Sequence, residues 1–431
     1  MEKTKVALIG FGTIGSGVAK LLLQQPDRLA RHAGKQIELA YVVDKDLKRD
    51  RGVSLPKGLL SDDMDRALDD PDVKIVIELI GGTDAARTLV LRALESGKDV
   101  VTANKALLAT HGPELFGKAR ERGRTIAFEA AVAGGIPIIA AIGQSLTANR
   151  IESIEGILNG TCNYILTQME EFGVDYDKVV ADAQRLGYAE ADPTMDVEGI
   201  DATQKLAILA QLAFGAAVRW QDVSRVGVSS VRVEDMAFAQ GMDYRIRLVA
   251  TARRGSEGLE LCVGPTLIPG DKPLAGVQGV FNAVAVVGDA VGPSFFQGLG
   301  AGQDPTASSV VADIIDTIAG RTAITFGALN LWSEGGDGPM MCEPRLVPGR
   351  YYLRLNLERR AEAAAEVVRV LREKGVGVNS LVQYEDEDDE NLGGMVLMTQ
   401  RTTEGDTASA MEAIERLPFV RPGGVRFRVA D

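Results

Sequence analysis

The apolar run VALI at residues 6–9 passes directly into GFGTIG at 10–15 and then into the helical pattern SGVAKLLLQQ. GxGxxG is a weak pattern by itself. Between a strand and a helix, however, it is the turn that lets a chain lay a pyrophosphate on a helix N-terminus. Gly10 permits the tight turn, Gly12 the close approach of the phosphates and Gly15 close packing of the helix, with Phe11, Thr13 and Ile14 completing the loop. This feature commits the first part of the chain to an α/β fold.

The residues that follow keep the same rhythm. IELAYVVD, KIVIELIGG, DVVTANK and TIAFEAAVAGG read as further strands, with helical segments such as DAARTLVLRALESG between them. Strands that are apolar throughout and alternate with helices imply a parallel sheet covered on both faces. Asp44 closes the second strand, where an acid usually bonds the ribose 2′-hydroxyl of NAD and repels a 2′-phosphate. Lys45, Lys48, Arg49 and Arg51 follow at once and offer that phosphate a partner, so NAD and NADP both stay open.

Composition narrows the function. With 431 residues and 45% hydrophobic content the chain can bury a sizeable core in two or three domains. A net charge of −13 argues against nucleic acid and anionic membranes as partners, because both require basic surface. No run of about 18 apolar residues and no signal-peptide pattern is present, so a cytoplasmic protein is expected. The three cysteines lie far apart, and only His32 and His111 could serve as a histidine base. Acid–base chemistry otherwise falls to Lys, Asp, Glu or Tyr. His111 precedes Gly-Pro, a helix-start context that suggests a solvated or capping role.

From about residue 137 the strands become less continuous and the helices longer, which predicts an α+β domain; SSVVADIIDTIAG reads as a long helix returning to the first domain. The expected division is 1–136 with 303–332 returning to it, then 137–302, then a Gly- and Pro-rich linker at 333–349, then 350–431. The last segment has the order βαββαβ, a split βαβ unit, with the acidic run EDEDDE at 385–390 as a solvated loop.

Three stretches carry candidate chemistry. TANKALLATHG places Lys105 just after a strand, at the end facing the crevice where ligands bind in open α/β sheets. FEAAVAGGIPII combines small residues with a Gly-Gly turn, which suits either a packing corner or carbonyls turned toward a cation. YAEADPTMDVEGIDATQKLAILA sets five carboxylates before Lys205, with Asp196 as a reasonable N-cap and Asp201 four residues before the lysine. A lysine entering a buried helix needs a partner or a purpose. By spacing, a capped helix with an ion pair and an ammonium-binding site are both open readings.

Taken in order, GFGTIGSG, ANKALLA, EAAVAGGIPII, NGTCNYIL, GYAEADPTMDVEGIDATQKLAILA and GLGAGQDPTASSVVADI resemble homoserine dehydrogenases of the single-function type with a C-terminal ACT domain, over essentially the whole chain. The chain opens directly on the dinucleotide fold, unlike the form fused to an aspartate kinase. The resemblance implies a Rossmann dinucleotide-binding domain, an α+β substrate and dimerisation domain and a ferredoxin-like ACT domain. It implies NADP- or NAD-dependent interconversion of L-homoserine and L-aspartate 4-semialdehyde, on the route to threonine, methionine and isoleucine. On this alignment Lys205 is the proton donor and Lys105 touches cofactor and substrate. Glu190 binds the substrate amine, with Asp196, Asp201 and Thr161 beside it, and Gly302 gives a backbone contact to the cofactor. Glu129, Val132, Gly134 and Ile136 align with a monovalent cation site, normally Na+, formed largely by main-chain carbonyls.

ACT domains that bind an effector usually carry an Asp-x-Pro-Gly-like turn after their first strand. Here the sequence is LNLERRAEAAAE, which weakens the expectation of an L-threonine effector. Pairing of the middle and ACT domains implies a homodimer or homotetramer. Two alternatives remain: another NAD(P)-dependent amino-acid dehydrogenase, and a nucleotide-sensing regulator with the ACT unit as its switch.

Overall fold

A computed structural model describes residues 2–333, 338–385 and 391–430. The chain divides into two compact units, one of residues 1–151, 204–222 and 287–339 and the other of 152–203, 223–286 and 340–431.

The first unit is built on a six-stranded sheet of β1 (Lys3–Ile9), β2 (Gln36–Val43), β3 (Leu60–Ser61), β4 (Val73–Glu78), β5 (Asp99–Thr102) and β6 (Ile126–Ala127). Its order is β3-β2-β1-β4-β5-β6, and every pairing is parallel. The order reverses between β1 and β4, which opens a crevice at the carboxyl ends of those strands. Val6, Leu8, Ile75, Ile77 and Val101 form one buried core cluster with Val18 of the helix Thr13–Gln24 and with Ala307, Val310 and Ile314 of the helix Gln303–Ile318. The segment RLARHAGKQ, which lengthens the connection to β2, is largely the helix Pro26–Ala33, closed by Gly34 in the left-handed region.

His111 does not start a helix. The helix Lys105–Arg122 runs through it with Pro113 inside, and the side chain of His111 is only 4.0 Å from Glu114. Asn104 supplies the N-cap instead, its Oδ1 accepting from Leu107 N at 3.0 Å. A strong cap upstream outweighs the local Gly-Pro signal.

The second unit is a mixed sheet of β7 (Ile151–Ile157), β8 (Tyr244–Gly255), β9 (Gly258–Pro269), β10 (Phe281–Gly288), β11 (Pro348–Glu358), β12 (Val378–Glu385), β13 (Leu392–Thr399) and β14 (Val420–Val429). These strands run in the order β10-β7-β8-β9-β14-β11-β13-β12. Strands β11 to β14 with the helices Ala363–Glu373 and Glu404–Glu415 make the βαββαβ unit, and its amphipathic helices bury Val367, Leu371, Ala410 and Ile414 against Leu353, Leu355 and Leu397. This unit shares the sheet: β14 pairs in parallel with β9 at Thr266↔Arg428 and Leu267↔Val429. A buried cluster fastens it further, with Arg354 Nε and Tyr352 Oη each donating to Asp235 Oδ1 at 2.7 Å. Of the Gly- and Pro-rich segment, residues 334–337 lie outside the described residues, and Met340 and Cys342 hydrogen-bond Leu259. Residues 386–390 of the acidic run also lie outside them.

Candidate active site

The glycine turn sits at the carboxyl end of β1. Gly10 has φ +103°, and a Cβ there would come within 2.4 Å of Leu79 O, so glycine is required on both conformational and steric grounds. A Cβ on Gly15 would lie 2.0 Å from Gly10 O, so the third glycine packs against the turn itself. Gly12 is the N-cap of Thr13–Gln24 and faces open space, the geometry that lets an anion approach the exposed N–H groups. Thr13 and Ile14 form the first turn, where Thr13 O accepts from Ser16 Oγ.

Asp44 is joined to this turn. Its Oδ2 accepts from Phe11 N at 2.7 Å, and its Oδ1 pairs with Arg51 Nη2 at 3.1 Å. The Arg51 guanidinium lies over the Phe11 ring, 5.0 Å from its centroid, and also donates to the carbonyls of Asp46 and Arg49. Of the four basic residues after β2, Arg51 is therefore the one held at the turn.

Gly302, at φ +111°, is the N-cap of Gln303–Ile318. Gln303 Nε2 donates to Ser16 Oγ at 2.8 Å, so this second helix N-terminus stands beside the first. The preceding loop packs on the Gly-Gly turn of the EAAVAGGIP segment. Gly135 N donates to Leu299 O at 2.9 Å, and a Cβ on Gly134 would meet Gly300 O at 2.5 Å.

In that segment Glu129, Val132, Gly134 and Ile136 are buried, and Ala133 and Gly134 have φ of +55° and +36°. Both carboxylate oxygens of Glu129 accept backbone N–H groups, from Ile139 and Ala140 at 2.8 Å. Asp313 accepts from Glu129 N at 2.8 Å. Burial pushes the Glu129 carboxyl up to about 7, and it raises Asp313 well above the usual range with help from the charge of Glu129. Ser309 Oγ donates to Gly134 O at 2.6 Å. Among the described residues no Lys or Arg side chain forms an ion pair with either carboxylate. Two buried acids beside a buried, sharply turned backbone fit a small cation, although no cluster of three or more His, Cys, Asp or Glu suited to a metal exists among the described residues.

Lys105 is the first residue of its helix and half-buried, directly after the carboxyl end of β5. Behind it lies a network that the sequence did not reveal. Asn104 N donates to Thr102 Oγ1 at 3.0 Å, and Thr102 Oγ1 donates to Glu78 Oε2 at 2.6 Å.

In the second unit the organising residue is Asn159, N-cap of the helix Gly160–Phe172. Its Oδ1 accepts from Cys162 N, while its Nδ2 donates to Asp196 Oδ1 at 2.7 Å and to Asp201 Oδ2 at 2.9 Å. Asp196 and Asp201 are thereby brought together, while Thr161 Oγ1 donates to Tyr188 O at 2.7 Å. Glu190 is exposed, its backbone carbonyl held by Gln184. Asn159 stands in the quoted NGTCNYIL, where an Asn before a helical run was a readable capping signal.

Asp196 is not an N-cap. It lies within the short helix Thr194–Val197, and Asp192 holds that helix's start, its Oδ1 accepting from Thr194 N and Oγ1. Gly199, at φ +74°, then separates it from the helix Ile200–Phe214, which carries buried Asp201 and Lys205 four positions apart. Glu198 accepts from Ser229 Oγ, a structural contact.

Residues 137–315 match the family model described as homoserine dehydrogenase, and residues 10–129 match homoserine dehydrogenase, NAD binding domain. The chain is 44% identical over 436 residues to the homoserine dehydrogenase of Pseudomonas aeruginosa, covering 100% of this chain and 99% of that protein. It is 38% identical to that of Bacillus subtilis, with the same coverage. Among solved structures, a homoserine dehydrogenase from Thiobacillus denitrificans superposes with a TM-score of 0.93 at 41% identity, over 100% of this chain and 99% of that one. A hyperthermophilic archaeal homoserine dehydrogenase in complex with NADPH matches at TM-score 0.61 and 27% identity, over 73% of this chain and 97% of that one.

Proposed function

The chain belongs to the homoserine dehydrogenase family, and from that premise we propose which residues carry the interconversion of L-homoserine and L-aspartate 4-semialdehyde. The observation that carries the assignment is the Asn159 bridge. It gathers two carboxylates at a helix start, with Lys205 four residues further along the helix that holds the second of them. Asp196 and Asp201, with Glu190, hold the substrate ammonium, and Thr161 lies beside them. When bound, the nicotinamide exchanges hydride with the substrate carbon. Lys205 gives a proton to the oxygen that becomes the homoserine hydroxyl and takes it back in the oxidative direction. Lys105 touches cofactor and substrate. Neither the regulator nor a different amino-acid dehydrogenase is favoured.

Gly10 to Gly15 would cradle the pyrophosphate, Gly302 would add a backbone contact, and Asp44 would face the adenosine ribose with Arg51 beside it for a 2′-phosphate. The carbonyls of Val132, Gly134 and Ile136 with Glu129 would hold a monovalent cation, Na+ by family likeness, whose charge would offset that of the buried carboxylates.

The βαββαβ unit is read as an ACT module with an assembly role in a homodimer or homotetramer; its edge strand β12 is largely exposed. A cavity of ≈ 430 Å³ adjoins its first strand–helix loop, lined by Arg359, Arg360 and Tyr384 among others. There Arg359 pairs with Glu385 and Arg360 with Glu358, each at 2.6 Å. Because LNLERRAEAAAE lacks the Asp-x-Pro-Gly-like turn, threonine at millimolar levels is expected to leave activity unchanged, and sedimentation should give a dimer or tetramer.

The deciding test is an assay of homoserine oxidation with NAD and with NADP, run on the natural chain and on Lys205→Ala. The variant should lose turnover by a factor on the order of 10² or more while keeping cofactor affinity. Near-normal turnover in the variant would remove Lys205 from the reaction.

A further inference from the structure

Glu78 ends β4 at the crevice and is completely buried. Among the described residues no Lys or Arg forms an ion pair with it. Its partners are neutral donors: Thr102 Oγ1 gives a hydrogen bond to Oε2 at 2.6 Å, Ile80 N gives one to Oε1 at 3.0 Å, and the Gly81 N–H and the Asn104 side chain also favour its charged form. A carboxylate is costly to bury without a cation, so a chain that keeps one uses both of its oxygens for something.

Each bond leads to a piece of the crevice wall. Ile80 N begins the loop Ile80–Thr83, and Gly82 O in that loop accepts from Asn104 Nδ2 at 2.7 Å. Leu79 O, immediately before that loop, is the atom against which Gly10 turns. Thr102, also completely buried, accepts from Asn104 N at 3.0 Å while it donates to Glu78. Asn104 caps the helix whose first residue is Lys105. One carboxylate thus joins the ends of β4 and β5, the loop after β4 and the N-cap before Lys105.

We propose that Glu78 is a positioning residue for Lys105, acting through Thr102 and Asn104 to fix the first turn of the helix Lys105–Arg122. The proposal rests on the reading that Lys105 touches cofactor and substrate. A carboxylate suits this place because both oxygens accept. A glutamine offers one acceptor, so either Ile80 N–H loses its partner or the Thr102 hydroxyl must reverse. A threonine-to-valine change removes both the hydroxyl donor and the acceptor for Asn104 N–H while keeping the side-chain shape.

The test is a mutant cycle on the full chain. Glu78→Gln and Thr102→Val should each lower kcat/KM by roughly tenfold to hundredfold, the scale of a small misplacement of a reacting group. The double variant should be little worse than either single. In a Lys105→Met background neither change should lower kcat/KM further. Urea unfolding at pH 8 should find Glu78→Gln at least as stable as the natural chain, a split between activity and stability that a purely structural role would not give. Unchanged kcat/KM in both single variants overturns the proposal. So does an undiminished fold-loss in the Lys105→Met background. If Lys105→Met itself keeps normal kcat/KM, the reading of Lys105 fails and the proposal falls with it. Should Glu78→Gln not fold, Thr102→Val decides by the same comparisons.

Discussion

Asp44 and Phe11 stand 33 residues apart in sequence, yet the Asp44 carboxylate accepts the Phe11 backbone N–H at 2.7 Å, closing the glycine turn onto the end of the second strand. The other oxygen of the carboxylate holds Arg51, whose guanidinium rests over the Phe11 ring. The acid proposed to face the ribose and the base proposed to receive a 2′-phosphate are therefore paired with each other. Asp44→Ala should free Arg51 and raise the ratio of kcat/KM for NADP over NAD by about tenfold, the scale of one charge-assisted hydrogen bond. Steady-state kinetics with both cofactors check this, and an unchanged ratio counts against Asp44 as a discriminator.

Asn159 holds Asp196 and Asp201 with the two hydrogens of one amide. Without that donor the carboxylates repel each other and lose their fixed separation. Asn159→Ala should raise KM for homoserine by about tenfold or more, with the cofactor dissociation constant unchanged, because a hydrogen bond to a charged group contributes about 1.5–3 kcal/mol. Initial rates over a homoserine series, with cofactor binding followed by fluorescence, separate the two. A normal KM would leave the bridge a structural detail.

Arg354 and Asp235 are 1% and 0% exposed, and their 2.7 Å pair ties strand β11 of the βαββαβ unit to the helix Val233–Gly241. Removing one member of a buried pair strands the other charge. Arg354→Met should cost about 3–5 kcal/mol and lower Tm, while replacing Asp235 as well should recover part of the loss. Calorimetry of the single and double variants tests this. If β11 to β14 behaved as a free-standing appendage, the single variant would melt that part alone and leave the main transition in place.

The parallel sheet, the glycine turn and the βαββαβ order were legible because each rests on local pattern: continuous apolar strands, a turn that only glycine can make, and strongly amphipathic helices such as Ala363–Glu373. What escaped was long-range. Nothing near Thr266 announces that it will pair with Arg428, and nothing near Glu78 announces Thr102. The carboxylates before Lys205 show the same limit. By spacing the five are equivalent, and only the family resemblance singles out Glu190, Asp196 and Asp201; the physical partners that divide them, Thr194 for Asp192, Ser229 for Glu198 and Asn159 for Asp196 and Asp201, are visible only in the fold. The helix starts expected at His111 and Asp196 fail because each local capping pattern has a stronger competitor in the sequence before it, Asn104 in one case and Asp192 in the other.

Burial raises the Glu78 carboxyl above its ordinary value of 4.5, and the sign of the consequence follows. The folded chain binds this proton more tightly than the unfolded one, so the unfolded state ionises first as pH rises above about 4.5. Stability from the neutral form is full below that point and is lost as pH climbs toward the native value. Glu129, pushed up to about 7, has the same sign, so the natural chain alone would not isolate Glu78. The comparison with Glu78→Gln does, because the amide does not titrate and Glu129 is common to both. The stability of the variant relative to the natural chain should grow from pH 5 toward pH 8, measured by urea unfolding at constant salt. Parallel curves across that range would mean that the Thr102 and Ile80 hydrogen bonds fully offset the burial of the Glu78 charge.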